Sequence, residues 1–297
     1  MESGYASAVL TILICVVAIL ENAFVILTVW GIRNLRKKNC TLIVNLAVAD
    51  LLCGSGNLLI ISIIGNDFTA DVLDIYAMSV LTIMMWSSSF TFAVGFERML
   101  AVATPIWYNN NITKCKVAIV CVILWTLPPC VFFLTGFLDN WKVFAGFFLY
   151  LQFAMTISVG ILYVIIFFIL KNTNNRHTLG ASSRAIRQAQ LRSIFITFGI
   201  LICSLSLCLL PVQVLAICRF NECVDWSEHI WQTIFGVMLP ILMFNSALNP
   251  IVYWWRIPTF REGYKNLVIS WLVRCHIRQK DRPKSPQWNG QYQTTRQ

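Results

Sequence analysis

Residues 6–31 read ASAVLTILICVVAILENAFVILTVWG, an apolar run that holds a single acid and a single amide, Glu21 and Asn22. A helix needs about 20 mostly apolar residues to cross the hydrocarbon core of a bilayer, and this run is long enough to do so. It lacks the basic start of a secretory signal and exceeds the usual length of a signal's apolar region. We therefore interpret it as an uncleaved first membrane span.

Six further apolar runs follow, each bounded by polar segments. The whole chain of 297 residues is 58% hydrophobic and 12% charged, whereas soluble domains are about 25% charged. The sequence predicts an all-α fold, a seven-transmembrane helix bundle that occupies residues 1–272, followed by a short tail at 273–297. The predicted spans are 6–31, 41–65, 72–101, 116–137, 144–170, 192–218 and 229–254.

The basic residues predict the orientation of the chain. Of the 23 lysines and arginines, all but Lys142 and Arg219 lie at or after the ends of spans one, three, five and seven. Basic loops stay in the cytoplasm, so the amino terminus is expected outside and the carboxyl terminus inside. This asymmetry accounts for the net charge of +10, and nucleic acid is not an expected partner. The outer loops carry eight acids and form a mouth that attracts cations: Glu2, Asp67, Asp71, Asp74, Asp139, Glu222, Asp225 and Glu228.

Polar and special residues occur inside the spans in a fixed order. Charged and amide side chains are costly in hydrocarbon, so each is a functional candidate. In chain order they are Asn22 in span one, Asp50 in span two, Glu97-Arg98-Met99 at the end of span three, Trp125 in span four, Tyr163 in span five, Pro211 in span six and Asn249-Pro250-Ile251-Val252-Tyr253 in span seven.

This order and spacing resembles the rhodopsin-like (class A) G-protein-coupled receptor family over residues 6–270. The resemblance implies a plasma-membrane receptor that passes an extracellular signal to a heterotrimeric G protein when span six moves outward. It implies that Arg98 pairs with Glu97 at rest and that Ile106 enters a pocket on the G protein. An alternative for Pro105 is that it merely ends the helix. The implied switch and coupling residues are Glu97, Arg98, Pro105, Ile106, Tyr163, Pro211, Asn249, Pro250 and Tyr253.

The family's sodium pocket has its counterparts in this sequence. A carboxylate inside the membrane keeps its charge when oxygen ligands surround it together with a small hard cation. The alternative is that the same residues hydrogen-bond one another without an ion, and no other cofactor is expected. The implied pocket consists of Asp50, Ser87, Asn245, Ser246 and Asn249.

The segment after span seven predicts an eighth helix. Its apolar residues recur at helical spacing with arginine and lysine between them, which is typical of an amphipathic helix that contacts membrane lipids at the cytoplasmic interface. Cys275, just beyond it, is a candidate lipidation site. The apolar positions are Phe260, Tyr264, Leu267, Val268 and Trp271.

Several family features are absent. No cysteines stand where the family joins span three to the second outer loop, while Cys218 and Cys223 flank a short outer segment and predict a disulfide there. Span five has Met155 in place of a proline, and span six has Leu209 in place of a tryptophan. Together these features look most like the melanocortin receptors and their lysophospholipid and cannabinoid relatives. The acids with which melanocortin receptors bind calcium and basic peptides are replaced here by Ile60, Leu73 and Ala77.

The residues expected to line the ligand cavity are mostly apolar, with one amide. Such a cavity suits a lipid or other small hydrophobic ligand. Two alternatives remain: the residues fill the core of a self-activating receptor, or a cationic peptide binds at the acidic mouth. Span seven has no lysine for retinal, and Val80 stands at the amine counter-ion position. The lining residues are Val80, Met84, Phe147, Phe148, Leu151, Val212, Gln213, Phe235, Leu239 and Met243.

Other functions fit the sequence less well. An enzyme would need a nucleophile or metal set inside the spans, yet the three histidines lie in or beside loops, and neither Gly-x-Ser-x-Gly nor His-Glu-x-x-His occurs. A transporter would more often show internal repeats. A receptor-shaped protein that does not couple remains an alternative, since Met155 and Leu209 fall on switch elements.

Overall fold

A computed structural model of the chain describes residues 2–32, 35, 38–63, 70–137, 141–176, 207–223, 227–256 and 258–280. These residues form nine helices and no strand, so the predicted all-α fold is confirmed. The helices are α1 (Glu2–Gly31), α2 (Lys38–Ile63), α3 (Ala70–Ala103), α4 (Pro105–Asn111), α5 (Lys114–Phe137), α6 (Trp141–Arg176), α7 (Leu210–Phe220), α8 (Glu228–Arg256) and α9 (Pro258–Lys280).

Five of these helices are long and apolar enough to cross a membrane: α1, α2, α5, α6 and α8. The third predicted span lies within α3. The sixth is represented by α7, and its first part lies outside the described residues. The helices differ from the predicted spans mainly at their ends, where the polar flanks at the end of α6 and before span four are also helical. Span limits set by hydropathy miss such flanks, because a helix can continue beyond the apolar region.

The helices pack around a polar centre. α1 lies against α2 and α8, while α3 lies between α2 and α6 and also touches α5; α7 lies against α6. Large apolar side chains such as Leu20, Trp30 and Phe133 are mostly exposed, whereas Asp50 is fully buried. This distribution is typical of a bundle whose surroundings are lipid. We call the end of the bundle that carries Arg98 the Arg98 side.

Trp125 joins three helices. Its indole Nε1–H on α5 donates to Asn45 Oδ1 on α2 at 2.7 Å, and its backbone oxygen accepts from Trp86 Nε1 on α3 at 3.0 Å. The ring centroids of Trp86 and Phe90 lie 4.9 and 5.2 Å from that of Trp125. Helices in lipid gain little from apolar contact with one another, so these polar bonds and ring contacts fix how α5 sits.

The final helix, α9, packs against α1 and α8 on the Arg98 side. Gly263 permits this contact, because a Cβ atom there would lie 2.7 Å from Ile32 Cδ1 and 3.1 Å from Thr28 Cγ2. Phe260 is buried against Tyr253, and Tyr264 is partly exposed. The helix continues to Lys280, beyond the predicted end at residue 272, because no proline or glycine interrupts that stretch.

Replacing Trp125 with phenylalanine tests the junction. Trp125→Phe leaves the half-buried Asn45 oxygen without its donor, and the free energy of unfolding should fall by about 1–2 kcal/mol. The measurement is the thermal unfolding of the purified protein in lipid nanodiscs. Trp254→Phe, which changes a ring on the partly exposed face of α8, is the matched control and should unfold as the wild type does. Equal unfolding temperatures for both variants would contradict the assigned role.

Candidate functional site

Asp50 is the centre of a buried polar cluster that joins α2, α3 and α8. Its Oδ1 accepts the hydroxyl of Ser87 from α3 at 2.5 Å and that of Ser246 from α8 at 3.0 Å. Its Oδ2 accepts the amide Nδ2–H of Asn249 at 2.8 Å. Three of the four residues predicted to surround the carboxylate therefore donate to it directly. A buried carboxylate that accepts several hydrogen bonds is stabilised in its charged form.

The fourth predicted residue, Asn245, lies at the edge of the same cluster. It lines a cavity of about 20 Å³ together with Ser87, Ser88 and Ser246, and a cavity of this size holds about one water molecule or small ion. Asn245 Oδ1 is buried and has no hydrogen-bond partner among the described residues. Carboxylate, hydroxyl and amide oxygens are the ligands that hard cations take, so these residues fit a sodium ion.

Asn22 connects the first helix to this cluster. Its Nδ2–H donates to the backbone oxygen of Ser246 at 3.2 Å and to that of Ala18 at 2.9 Å. A donor from α1 thus holds the backbone of the residue whose hydroxyl reaches Asp50. The predicted order of polar residues in spans one, two and seven therefore corresponds to one connected site.

A second site lies at the end of α3. Glu97 is buried, and its carboxylate lies 3.8 Å from the Arg98 guanidinium, measured from Oε2 to Nη2. Its Oε1 also accepts a hydrogen bond from the hydroxyl of Tyr108, which is 3% exposed. The pairing of Arg98 with Glu97 was expected from the sequence. The contact with Tyr108 was missed, although a tyrosine three residues after Pro105 was a visible signal.

Burial and the adjacent Glu97 carboxylate both raise the pKa of the Tyr108 hydroxyl well above its usual value. Each cause disfavours a negative phenolate, because the oxygen is partly removed from water and already faces a negative charge. Tyr108 consequently keeps its proton over the physiological pH range and remains a donor to Glu97.

The short helix α4 positions the loop residues. Pro105 occupies its first turn, where its missing N–H costs nothing. Ile106 is 78% exposed, whereas Tyr108 is buried. Successive residues of a helix turn by 100°, so positions 106 and 108 lie on opposite faces. The predicted contact residue is therefore available to a partner while Tyr108 holds α4 against α3.

The other predicted switch residues lie inside the bundle. Tyr163 and Tyr253 are buried, and a Cβ atom at Gly95, one turn before Arg98, would lie 3.7 Å from the Tyr163 hydroxyl. Pro250 is buried within α8 and Pro211 lies in the first turn of α7. Leu209 forms a turn just before α7, two residues before Pro211, which lacks an N–H.

The residues predicted to line the ligand cavity divide into three groups. Phe148, Gln213 and Met243 are buried, while Met84, Leu151, Val212 and Leu239 are half-buried. Phe147 is 48% exposed and lies on the outer face of α6, because it neighbours Phe148 and a helix turns by 100° per residue. Its assignment to the cavity is therefore corrected. The side chains of Val80 and Phe235 lie outside the described residues.

A row of polar contacts between α3, α6 and α7 was also missed. Gln152 Nε2 donates to Ser88 Oγ at 3.2 Å, and Gln213 Nε2 donates to Thr156 Oγ1 at 3.0 Å. Gln152 and Thr156 lie four residues apart on α6 and hence on one face. An amide inside span five was the signal that could have identified them. The row connects the Asp50 cluster, through neighbouring serines of α3, with α7.

The predicted disulfide is not formed in the structure, in which Cys218 and Cys223 are free. α7 ends in a Schellman turn, with Cys223 N–H donating to the Cys218 oxygen at 2.9 Å and Glu222 at a φ of 54°. The turn brings the two backbones together, but Cys218 is half-buried on the helix whereas Cys223 is exposed after it. The Cys275 side chain and all the acids of the predicted mouth except Glu222 lie outside the described side chains.

Known receptors are similar to this chain in sequence. The human adenosine receptor A2a is 23% identical over 300 residues, which cover 88% of this chain and 71% of the receptor. The chicken (Gallus gallus) adenosine receptor A2b is 24% identical, with 94% and 92% of the two chains covered. The human Mas-related G-protein coupled receptor member X1 is 28% identical, with 85% and 78% covered.

These relatives belong to different receptor groups at similar identity, so they indicate the family as a whole and leave the subfamily unassigned. Residues 21–253 match the family described as 7 transmembrane receptor (rhodopsin family). The matched segment starts beside Asn22 and ends at Tyr253, and so includes both buried sites described above. The chain belongs to the rhodopsin family of seven-transmembrane receptors.

Proposed function

We propose that this receptor lies in the plasma membrane with its amino terminus outside and catalyses nucleotide exchange on a heterotrimeric G protein at the Arg98 side. The observation that carries the proposal is the double restraint on Glu97, which faces Arg98 and accepts the hydroxyl of Tyr108. A carboxylate that holds both a guanidinium and a loop tyrosine fixes Arg98 and α4 at the end of α3. The loss of both contacts would free Arg98 to meet a partner.

The surface beside this restraint suits a protein partner. Ile106 and Trp107 are large apolar residues that stand exposed on α4, next to Pro105. Apolar side chains that remain exposed outside the lipid region favour burial against another protein. Tyr163 and Tyr253 are buried nearby and would be available to Arg98 once the helices part.

We further propose an extracellular lipid or other hydrophobic ligand. The predicted cavity residues that the structure buries are apolar except for Gln213. The adenosine receptors named above suggest a nucleoside as another ligand. A nucleoside, however, presents many hydrogen-bonding groups, and these side chains can pair with few of them. A cationic peptide at the acidic mouth, as in a melanocortin-like receptor, is the second candidate, supported by the eight outer acids of the sequence.

Asp50, Ser87, Ser246 and Asn245 would hold a sodium ion in the resting receptor. The unpartnered oxygen of Asn245 and the small cavity beside it support this proposal. The ion would supply positive charge next to a carboxylate that is otherwise surrounded only by neutral donors. Contacts from α2, α3 and α8 would then favour the packing in which these helices stay together.

The first prediction concerns Arg98. Arg98→Ala removes the group proposed to contact the G protein, so nucleotide exchange should fall to the level of membranes without receptor. The assay is GTP-analogue uptake by purified G proteins at matched receptor density. Arg219→Ala, at the end of α7, is the control and should retain exchange. Normal exchange by Arg98→Ala would contradict the coupling role.

Tyr108 provides a test with the opposite sign. Tyr108→Phe keeps the ring but removes the hydrogen bond to Glu97, and it should raise ligand-free exchange by about threefold or more, since a bond to a charged group is involved. Tyr150→Phe removes a hydroxyl bonded to Asn221 at the other end of the bundle and is the matched control. If both variants behave alike, or Tyr108→Phe lowers exchange, the restraint does not hold the resting state.

Sodium sensitivity tests Asp50. Replacing potassium with sodium should lower ligand-free exchange by the wild type, and Asp50→Asn should abolish this difference because the only carboxylate of the cluster is lost. Glu21→Gln, which neutralises an acid in α1, should leave the sodium effect intact. A sodium effect of unchanged size in Asp50→Asn would refute the ion site.

A further inference from the structure

The side-chain amide of Gln213 has one unsatisfied end. The residue is 3% exposed, and its Nε2 donates to Thr156 Oγ1 at 3.0 Å. Its Oε1 is buried and has no hydrogen-bond partner within the part of the chain that the structure describes. Buried carbonyl oxygens in native proteins almost always accept a hydrogen bond. The Gln213 oxygen can therefore accept a hydrogen bond from a donor that the described residues do not supply.

Thr156 fixes the orientation of this amide. Its hydroxyl donates its single hydrogen to the backbone oxygen of Gln152 at 3.0 Å, so only its lone pairs face Gln213. With the amide turned around, two acceptors would face each other and the NH2 group would lose its bond. The oxygen of Gln213 is therefore held as an acceptor and cannot turn away to satisfy itself.

The small cavity of the Asp50 cluster does not supply a water molecule to this oxygen. A buried water needs two to four polar partners. The small polar cavity of about 20 Å³ is lined by Ser88, Gln152, Leu209 and Asn245 but not by Gln213. Gln213 lies one helical turn beyond Leu209, away from the Arg98 side, beside the half-buried and apolar Val212. Within the described residues, the Gln213 oxygen therefore has neither a protein donor nor a place in this cavity.

We infer that Gln213 recognises a hydrogen-bond donor on the ligand, so that the ligand is an apolar molecule with a hydroxyl or N–H group at its buried end. The inference rests on the proposed ligand cavity. Thr156 is a positioning residue that orients the amide, and Gln152 supports it by accepting the Thr156 hydroxyl with its backbone while its side chain bonds Ser88. An ether or hydrocarbon of the same shape lacks the donor and binds less well.

The first test needs no ligand. Thr156→Val removes the one partner of the Gln213 amide and should lower the unfolding temperature of the full chain in nanodiscs. Adding Gln213→Met removes the whole amide, with its unpaired N–H and its unpaired oxygen. The double variant should therefore recover most of the lost unfolding temperature. A double variant that unfolds at or below the temperature of Thr156→Val would show that the Gln213 oxygen has a partner inside the receptor, which overturns the inference.

The second test uses 1-dodecanol and its methyl ether as probes with the same apolar chain. The alcohol should stabilise the wild type at an about tenfold lower concentration than the ether, since one hydrogen bond separates them. Gln213→Met and Thr156→Val should bring this ratio to about one, and Thr156→Ser should preserve it. Ile157→Leu changes an exposed apolar side chain next to Thr156 on α6 and is the control. Both probes also dissolve in the bilayer, but that effect is common to all variants.

Equal concentrations for the two probes in the wild type, a ratio that Gln213→Met leaves unchanged, or no stabilisation by either probe would each overturn the inference. The measurement contains no G protein, so its outcome is separate from that of the proposed coupling. A receptor that distinguishes the probes but fails the exchange assay keeps the donor site and loses the signalling role. A receptor that passes the exchange assay but does not distinguish the probes keeps the signalling role and loses the donor site.

Discussion

The buried carboxylate of Asp50 constrains the rest of the structure. Helices surrounded by lipid gain little from hiding apolar surface against one another, so polar contacts decide how they are rotated and placed. Asp50 on α2 accepts donors from α3 and α8, and Asn22 ties α1 to the same part of α8. A shift of α3 or α8 along α2 would remove donors from a charge that lies in hydrocarbon. Four helices are thereby fixed around one side chain.

α6 and α7 are held by weaker bonds. Contacts between α3 and α6, and between α6 and α7, use neutral amides and hydroxyls at 3.0 to 3.2 Å. Hydrogen bonds between neutral groups are about half as strong as those to a charged group. The half of the bundle that contains α7 is therefore easier to displace than the half around Asp50. This difference suits a receptor in which the sixth span moves while the others keep their places.

Sequence reasoning was most successful for the apolar runs and for the polar residues inside them, which are costly to place in hydrocarbon. Long apolar runs predicted the helices, and the resemblance to the rhodopsin-like receptor family implied that Ser87, Ser246 and Asn249 would gather around Asp50. It failed to predict which face of a helix points into the bundle, as Phe147 and Phe148 illustrate. A helix that is apolar on all faces has no polar stripe to show which side turns inward, so only packing decides which phenylalanine is buried. Tyr108, Gln152 and Thr156 were missed for a related reason, since their partners lie on other helices.

The two faces of α4 connect an exposed surface, which a partner beside the bundle can contact, with the buried end of α3. Ile106 and Tyr108 lie two residues apart on one short helix and face opposite ways, the first outward and the second onto Glu97. A helix of seven residues turns as a unit, because its backbone hydrogen bonds resist twisting within two turns. Under the proposed coupling, a partner that draws Ile106 toward itself must rotate Tyr108 relative to Glu97. Partner contact and the release of Glu97 are then two aspects of one motion, and neither can change alone.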